Sequence, residues 1–492
     1  MVSAATPEAS VTTALVVGGG ISGLLSALEL AKAGRQVTVL EAGEAWGGCV
    51  GSHVVGGLTL DSGAESFATR SSAVADLAAE LGIAGAIVSP HPGGAWVQLP
   101  EGARELPKTG VLGIPANPWD AEVRRTLGLA GSVRASLDKI LPAGVGTRAA
   151  ITSVSALVRQ RMGRRVLERL VEPVVGGVHS ADPALLDVDM VAPGLRAGIR
   201  ANGSLAAAVA AQRRGTVAQG AKAGSAVAGL RGGMHSLVTA LVAELQRRGV
   251  TLLTGTRAET VARTADGWRV SAGERMYDAG LLVVALDGPS AVGLLQDAVP
   301  GLTAYRPDAG PDVKLVTLVV DLPELDRRPR GTGILVAPQT PGIQAKALTH
   351  ATAKWDWLAE ASGPGTHVVR LSYGRGEGLR QAGSPGAQDA AAVLPGGAGP
   401  GGGDEGLFEA ALRDASSLLT VPVTADDVLD WDVVSWGGVL PFAAVGHRQR
   451  VAEVRRVCAA EGSLVMVGGW LAGNGLAAVV DDTRRQVGDA LR

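Results

Sequence analysis

The chain has 492 residues with 46% hydrophobic and 19% charged side chains, the composition of a globular protein of two or three domains with ample core. Forty-five Lys plus Arg against forty-seven Asp plus Glu leave a net charge of −2, which excludes a broad nucleic-acid-binding surface. Two cysteines, Cys49 and Cys458, exclude a disulfide framework and favour a reducing compartment, and 3% aromatic residues disfavour an aromatic cage for amines.

The leader "MVSAATPEASVTT" lacks a basic n-region and an apolar h-region, so it does not read as a signal peptide. No apolar run is long enough to span a bilayer, and the expected location is the cytoplasm. Residues Ala14 to Gly18 read as a short strand, followed by a glycine turn and a helix ending near Ala33, with Gly34 as its C-cap. A second strand, Gln36 to Glu41, completes a strand–helix–strand unit, the minimal dinucleotide-binding half. The turn "GGGISG" matches G-x-G-x-x-G. Gly18 permits the tight turn, Gly20 lets backbone approach a pyrophosphate, and Gly23 allows close helix–strand packing. Ile21 and Ser22 open the helix, whose free N–H groups face the phosphates, while Glu41 stands where a carboxylate accepts ribose hydroxyls.

Ser71 to Ile83 reads as a helix with a serine cap, and residues Pro100 to Gly224 as mostly helical and rich in basic residues. There Arg159, Arg161, Arg164, Arg165 and Arg169 share an apparent amphipathic helix. They read as a solvated face, or else as a surface for a polyanionic ligand or a membrane. Gly229 to Ala262 gives a helix, a glycine break and a strand; Trp268 to Leu286 gives a hairpin and a buried strand. Lys314–Val320, Gly333–Val336 and Thr366–Tyr373 read as strands of an antiparallel sheet, and Gly383 to Gly406 as a low-complexity surface loop. Ser463 to Leu491 closes the chain as strand, glycine turn and helix. His179 and His447 have no second His or Cys at metal-ligand spacing, so no metal site is expected.

The cofactor is decided after the first motif. "LEAGEAWGG" (Leu40 to Gly48) resembles the flavin-binding signature of the amine oxidase and protoporphyrinogen oxidase superfamily, and "LTLDSGAESFATR" (Leu58 to Arg70) continues the likeness. So do "EPVVGGVHSADPALLDVDMVAPGL", "GLRGGMHSLVTAL", "LPFAAVGHRQRV" and "GGWLAGNGLAAVV" further on. The chain is similar, over nearly its whole length, to the flavin-dependent coproporphyrinogen III and protoporphyrinogen oxidases. That resemblance implies an α/β fold: a Rossmann-like FAD-binding domain assembled from 11–89, 223–304 and 428–492, an antiparallel-sheet substrate domain at 305–427, and a helical lobe at 90–222.

It also implies that FAD is held by Gly18, Gly20, Ile21, Ser22, Gly23, Glu41, Ala42, Gly47, Gly48, Gly63, Ala64, Glu65, Ser66, Ala258, Trp436, Gly475, Leu476 and Ala477. Ala258 stands where Val often meets the adenine through its backbone. Trp436 and Trp470 read as core packing or as flavin contacts. Two positions depart from the pattern: Ala45 and Cys49 stand where basic side chains usually approach the diphosphate. Cys49 reads as an inert small thiol rather than a covalent flavin attachment. Arg70 reads as a partner for a substrate propionate or as a solvated charge at a helix start.

The implied reaction, in heme biosynthesis, is oxidation of coproporphyrinogen III to coproporphyrin III with O2 as acceptor and H2O2 as by-product. No catalytic base is identified, because the flavin carries the chemistry. Implied partners are the porphyrinogen, O2 and a transiently bound ferrochelatase, with no nucleic acid and at most peripheral membrane contact. Three alternatives remain: protoporphyrinogen IX oxidation, amine oxidation, and non-catalytic binding of porphyrin or flavin.

Overall fold

The computed structural model describes residues 13–107, 109–149, 152–179, 181–214, 227–374, 404–438, 444–473 and 475–492. The chain begins with β1 (Thr13–Val17), the Ile21–Lys32 helix and β2 (Gln36–Leu40), then a hairpin of β3 (Ser52–Val55) and β4 (Leu58–Asp61). A second hairpin, β5 (Trp96–Leu99) and β6 (Gly102–Glu105), precedes the helical stretch that ends with the Leu205–Arg214 helix. The His235–Arg247 helix leads to β7 (Thr251–Leu253), and a three-stranded meander over Thr260–Ala279 leads to β8 (Leu281–Val284). Then come β9 (Gly310–Asp321), β10 (Gly333–Val336), β11 (Ala347–His350), β12 (Thr366–Tyr373), β13 (Val428–Gly438) and β14 (Leu464–Met466), before the closing Leu476–Ala490 helix.

Two sheets organise the molecule. The first is parallel throughout, in the order β7-β2-β1-β8-β14, with Val16 of β1 in register with Val39 on one side and Val283 on the other. Its strands are continuous apolar runs because both faces are covered. Ala14, Val16, Val39 and Val283 pack into the core beneath the Ile21–Lys32 helix, while Leu15, Val17, Leu40 and Leu282 fill the core on the opposite face. Leu24, Leu25, Leu28 and Leu30 of that helix are fully buried, each worth about 2 kcal/mol against exposure. The helix is enclosed by the sheet and by the His235–Arg247 and Leu476–Ala490 helices.

The second sheet has the order β13-β9-β12-β11-β10-β5-β6. All its pairings are antiparallel except β10 with β5, where Leu335 aligns with Val97. The expected boundaries shift accordingly. The β5–β6 hairpin falls within 90–222, expected as a helical lobe, yet it extends this sheet, because Val97 and Leu99 alternate inward at the two-residue strand period and are fully buried. Likewise β13, expected in the nucleotide segment 428–492, pairs along β9 with Val433 opposite Val316. Of Gly383–Gly406, expected as a loop, only 404–406 lie among the described residues, and there the Glu405–Leu419 helix has already begun.

The arginine cluster is corrected as well. Gly163, with φ +91°, breaks the segment, so its arginines do not share one solvated face. Arg161 is completely buried. Its Nε pairs with Asp138 at 2.5 Å, and its remaining N–H groups donate to the carbonyls of Asp138, Pro142, Val145 and Gly203. Asp138 in turn accepts from the backbone N–H of Ala206 at 2.8 Å, so one ion pair stitches three segments of the helical lobe together. Arg165 donates to Leu127 O, Arg169 to Thr126 O and Glu101, and Arg164 pairs with Glu168, while Arg159 is exposed. Arg161→Ala removes the cation paired with Asp138 and the side-chain donor to four carbonyls, and the expected loss is about 3 kcal/mol, read as a lowered midpoint in thermal and urea unfolding.

Candidate cofactor site

Four glycines shape the first turn, and each is constrained differently. Gly18 has φ +104°, and a Cβ there would lie 2.5 Å from the carbonyl oxygen of Ala285 on the loop after β8. A Cβ on Gly23 would lie 1.8 Å from Gly18 O, so helix and turn meet backbone to backbone. A Cβ on Gly19 would meet the Trp46 ring at 2.4 Å. Gly20 is different: its nearest neighbour is Gly47 O at 4.0 Å, so space is left beside the backbone. No side chain caps the Ile21–Lys32 helix and no acidic residue occupies its first turn, which leaves its positive end free for an anion.

Glu41 builds this turn. Its Oε2 accepts the Gly19 N–H at 2.6 Å and its Oε1 the Gly43 N–H at 2.7 Å. Glu41, expected to take the ribose, is engaged within the protein itself. The carboxylate also pins the turn to the end of β2, and its remaining lone pairs are all that it has for a ligand. The Glu41 and Gly43 carbonyls accept from the N–H groups of Thr256 and Gly255, shortly before Ala258; Ala42 and Ala258 are both half-buried.

The next loop closes over the turn. Gly47 N–H donates to Gly19 O at 2.9 Å, and Gly47 and Gly48 have φ of +109° and +55°. Cys49 O accepts the Ala64 N–H at 2.8 Å, and a Cβ on Gly63 would come within 2.1 Å of that oxygen. Burial pushes the Cys49 thiol up to about 12, so it stays protonated. Ala45 is exposed and offers no charge. The Ser62 carbonyl accepts from the buried Trp436 indole N–H at 2.9 Å, and the Gly63 carbonyl accepts from Arg370. Glu65 faces Lys354 Nζ at 2.5 Å and Arg370 Nη1 at 3.6 Å. Burial pushes its carboxyl up, but the two cations outweigh burial and hold it below the usual carboxylate range. Half-buried Ser66 completes the loop before Phe67 pairs with Ala228.

The C-terminal segment supplies a second uncapped helix. Gly475 has φ +125° and open space around it, and the Leu476–Ala490 helix has neither side-chain cap nor acidic first turn. Leu476 is half-buried and Ala477 buried, where this helix lies against Ile21–Lys32. Because β14 is parallel to β8 and β8 to β1, both helices begin at the carboxyl edge of the sheet, the edge that binds ligands in α/β folds. Backbone donors and helix ends therefore fit a diphosphate there without basic side chains at 45 and 49.

The remaining expected residues are placed as follows. Arg70 is exposed, beside Ser71 whose hydroxyl bonds Asp481, and it does not line the cavity formed by Asp61, Glu65, Thr317, Trp355, Trp357 and Arg370. Trp470 is buried in the core against Gly288, and His447 bonds its carbonyl. The side chain of His179 lies outside the described residues. Sequence reasoning missed Asp61, Lys354 and Arg370. Asp61 caps the His235–Arg247 helix by accepting from the N–H groups of Met234 at 2.9 Å and His235 at 3.1 Å. The one signal for Arg370 was a charge inside the apolar strand "THVVRLSY".

Comparison with known proteins agrees with this geometry. A coproporphyrinogen III oxidase of Mycobacterium leprae is 28% identical over 96% of each chain. One of Bacillus subtilis is 24% identical over 97% of each. Among solved structures, a candidate protoporphyrinogen oxidase from Exiguobacterium sp. 255-15 superposes with a TM-score of 0.79 at 22% identity, covering 98% of this chain and 99% of its own. The family described as flavin containing amine oxidoreductase matches residues 21–374, and the chain belongs to that family of FAD-dependent oxidoreductases.

Proposed function

We propose that this protein oxidises coproporphyrinogen III to coproporphyrin III in heme biosynthesis, consuming three O2 and releasing three H2O2 per macrocycle. The observation that carries this reading is the end-to-end match to relatives named coproporphyrinogen III oxidase, on a site whose carboxyl-edge cradle suits FAD. In this reading Gly20, Ile21, Ser22 and Gly23 hold the diphosphate, Glu41 takes the ribose and Ala258 the adenine. Gly47, Gly48, Gly63, Ala64 and Ser66 line the path to the ring, with Gly475, Leu476 and Ala477 closing it. FAD supplies the two-electron acceptor, and the chain supplies position and exclusion of water. Glu65, held ionised by Lys354 and Arg370, has no proton to donate near neutral pH, so it acts by its charge and its shape. Among the described residues no helix is long and apolar enough to cross a membrane. Transfer of the product to a transiently bound ferrochelatase in the cytoplasm belongs to the same proposal.

Purified protein is expected to be yellow and to raise porphyrin fluorescence from coproporphyrinogen III in an oxygen-dependent way, faster than from protoporphyrinogen IX. A colourless protein that takes up no added FAD would sink the proposal. Gly20→Val places a side chain in the one open space of the turn, at a backbone φ of −70° that valine tolerates. FAD affinity should fall more than about tenfold while the melting temperature of the FAD-free protein changes little. The protonated Cys49 thiol should stay unmodified by iodoacetamide at pH 8, and acid precipitation should leave all the flavin in the supernatant.

A further inference from the structure

Residues Ser62 to Glu65 are bonded from two sides. Their N–H groups face the nucleotide unit: Ser62 N donates to Gly51 O at 3.0 Å and Ala64 N to Cys49 O at 2.8 Å. Their acceptors face the seven-stranded sheet: Ser62 O takes the Trp436 indole, Gly63 O takes Arg370 Nη2, and the Glu65 carboxylate takes Lys354 and Arg370 Nη1. Arg370 is the one side chain in this set that holds both a backbone carbonyl and the carboxylate of the stretch. Only a planar fork reaches both at once, and an ammonium at the same position would reach one. From Gly63 the constraint runs on through Cys49 to Gly47 and Gly48, and so to the open space beside Gly20.

We propose that Arg370 is a positioning residue for the cofactor: from β12 of the substrate sheet it fixes the Gly63–Glu65 stretch, and through Cys49 the glycine loop, in the FAD-binding shape. This rests on the FAD part of the functional reading and not on the choice of porphyrinogen. Arg370 and Lys354 are already engaged with Glu65, and Asp61, which lines the same cavity as Glu65 and Arg370, is engaged with His235, so the cluster is built for holding the loop rather than for capturing a substrate anion.

The test strips FAD from wild type, R370Q and R370K and titrates it back, following flavin fluorescence and the visible spectrum, with melting of the FAD-free proteins in parallel. R370Q should raise the Kd for FAD on the order of tenfold and R370K by less, with altered flavin absorption in both and melting close to wild type. Wild-type Kd and spectrum in R370Q would overturn the proposal, as would a loss of melting temperature with FAD affinity unchanged. If R370Q does not fold, R370K decides: a several-fold higher Kd with wild-type melting supports the role, and a wild-type Kd refutes it. A weakened FAD site in R370Q, in a protein whose wild type ignores coproporphyrinogen III, would retain this proposal and remove only the substrate assignment.

Discussion

The contact between Gly23 and the carbonyl of Gly18 is the constraint on which the site depends. A helix can begin directly above the end of β1 only if neither residue carries a side chain, and a methyl group at Gly23 would sit 1.8 Å from that oxygen. The reward is directional. The helix points an uncapped, positively polarised end at the sheet's carboxyl edge, and the Leu476–Ala490 helix, packed alongside, points a second one at the same edge. Uncapped helix ends and free backbone donors thus stand at that edge, beside a loop with alanine at 45 and a protonated cysteine at 49.

The rest of the site follows from how the glycine turn is held. Glu41 ties it to the end of β2, Gly47 ties it to the next loop, and Cys49 passes that loop on to Gly63. Beyond Gly63 the bonds come from Trp436 and Arg370, which belong to strands of the other sheet. The stretch Ser62 to Glu65 is thus bonded to the glycine loop on one side and to strands of the seven-stranded sheet on the other. Charge is placed economically there, with one carboxylate between two cations inside a shared wall.

Much of this was legible in the sequence. The strand–helix–strand unit, the spacing of its glycines, the return of nucleotide elements near 229–286 and 463–491, and the three strands at 314–373 all read correctly because each is local in period. What did not read is non-local. The strand at 96–99 is four residues long, and besides its hairpin partner at 102–105 it pairs with a strand more than two hundred residues away. Arg161 looks like its exposed neighbour Arg159 until Asp138 and the carbonyls around it are brought together by folding. Lys354 and Arg370 carry no motif, since their role exists only where two distant segments converge on Glu65.

The seven-stranded sheet draws on 96–105, 310–373 and 428–438, and the parallel sheet is not complete until 464–466. A ribosome delivers these segments in order, so β5 and β6 emerge long before β10 exists to receive them, and β8 waits for β14 as the last partner on its outer edge. The helical lobe, closed by its own buried ion pair, can fold early, while the seven-stranded sheet waits for 428–438 and the parallel sheet stays open until the final tenth of the chain is made. Translation therefore carries an exposed strand edge almost to termination. A chain ending before β14 would present that edge to any neighbour, so a C-terminal truncation that removes β14 turns the sheet into a template for aggregation.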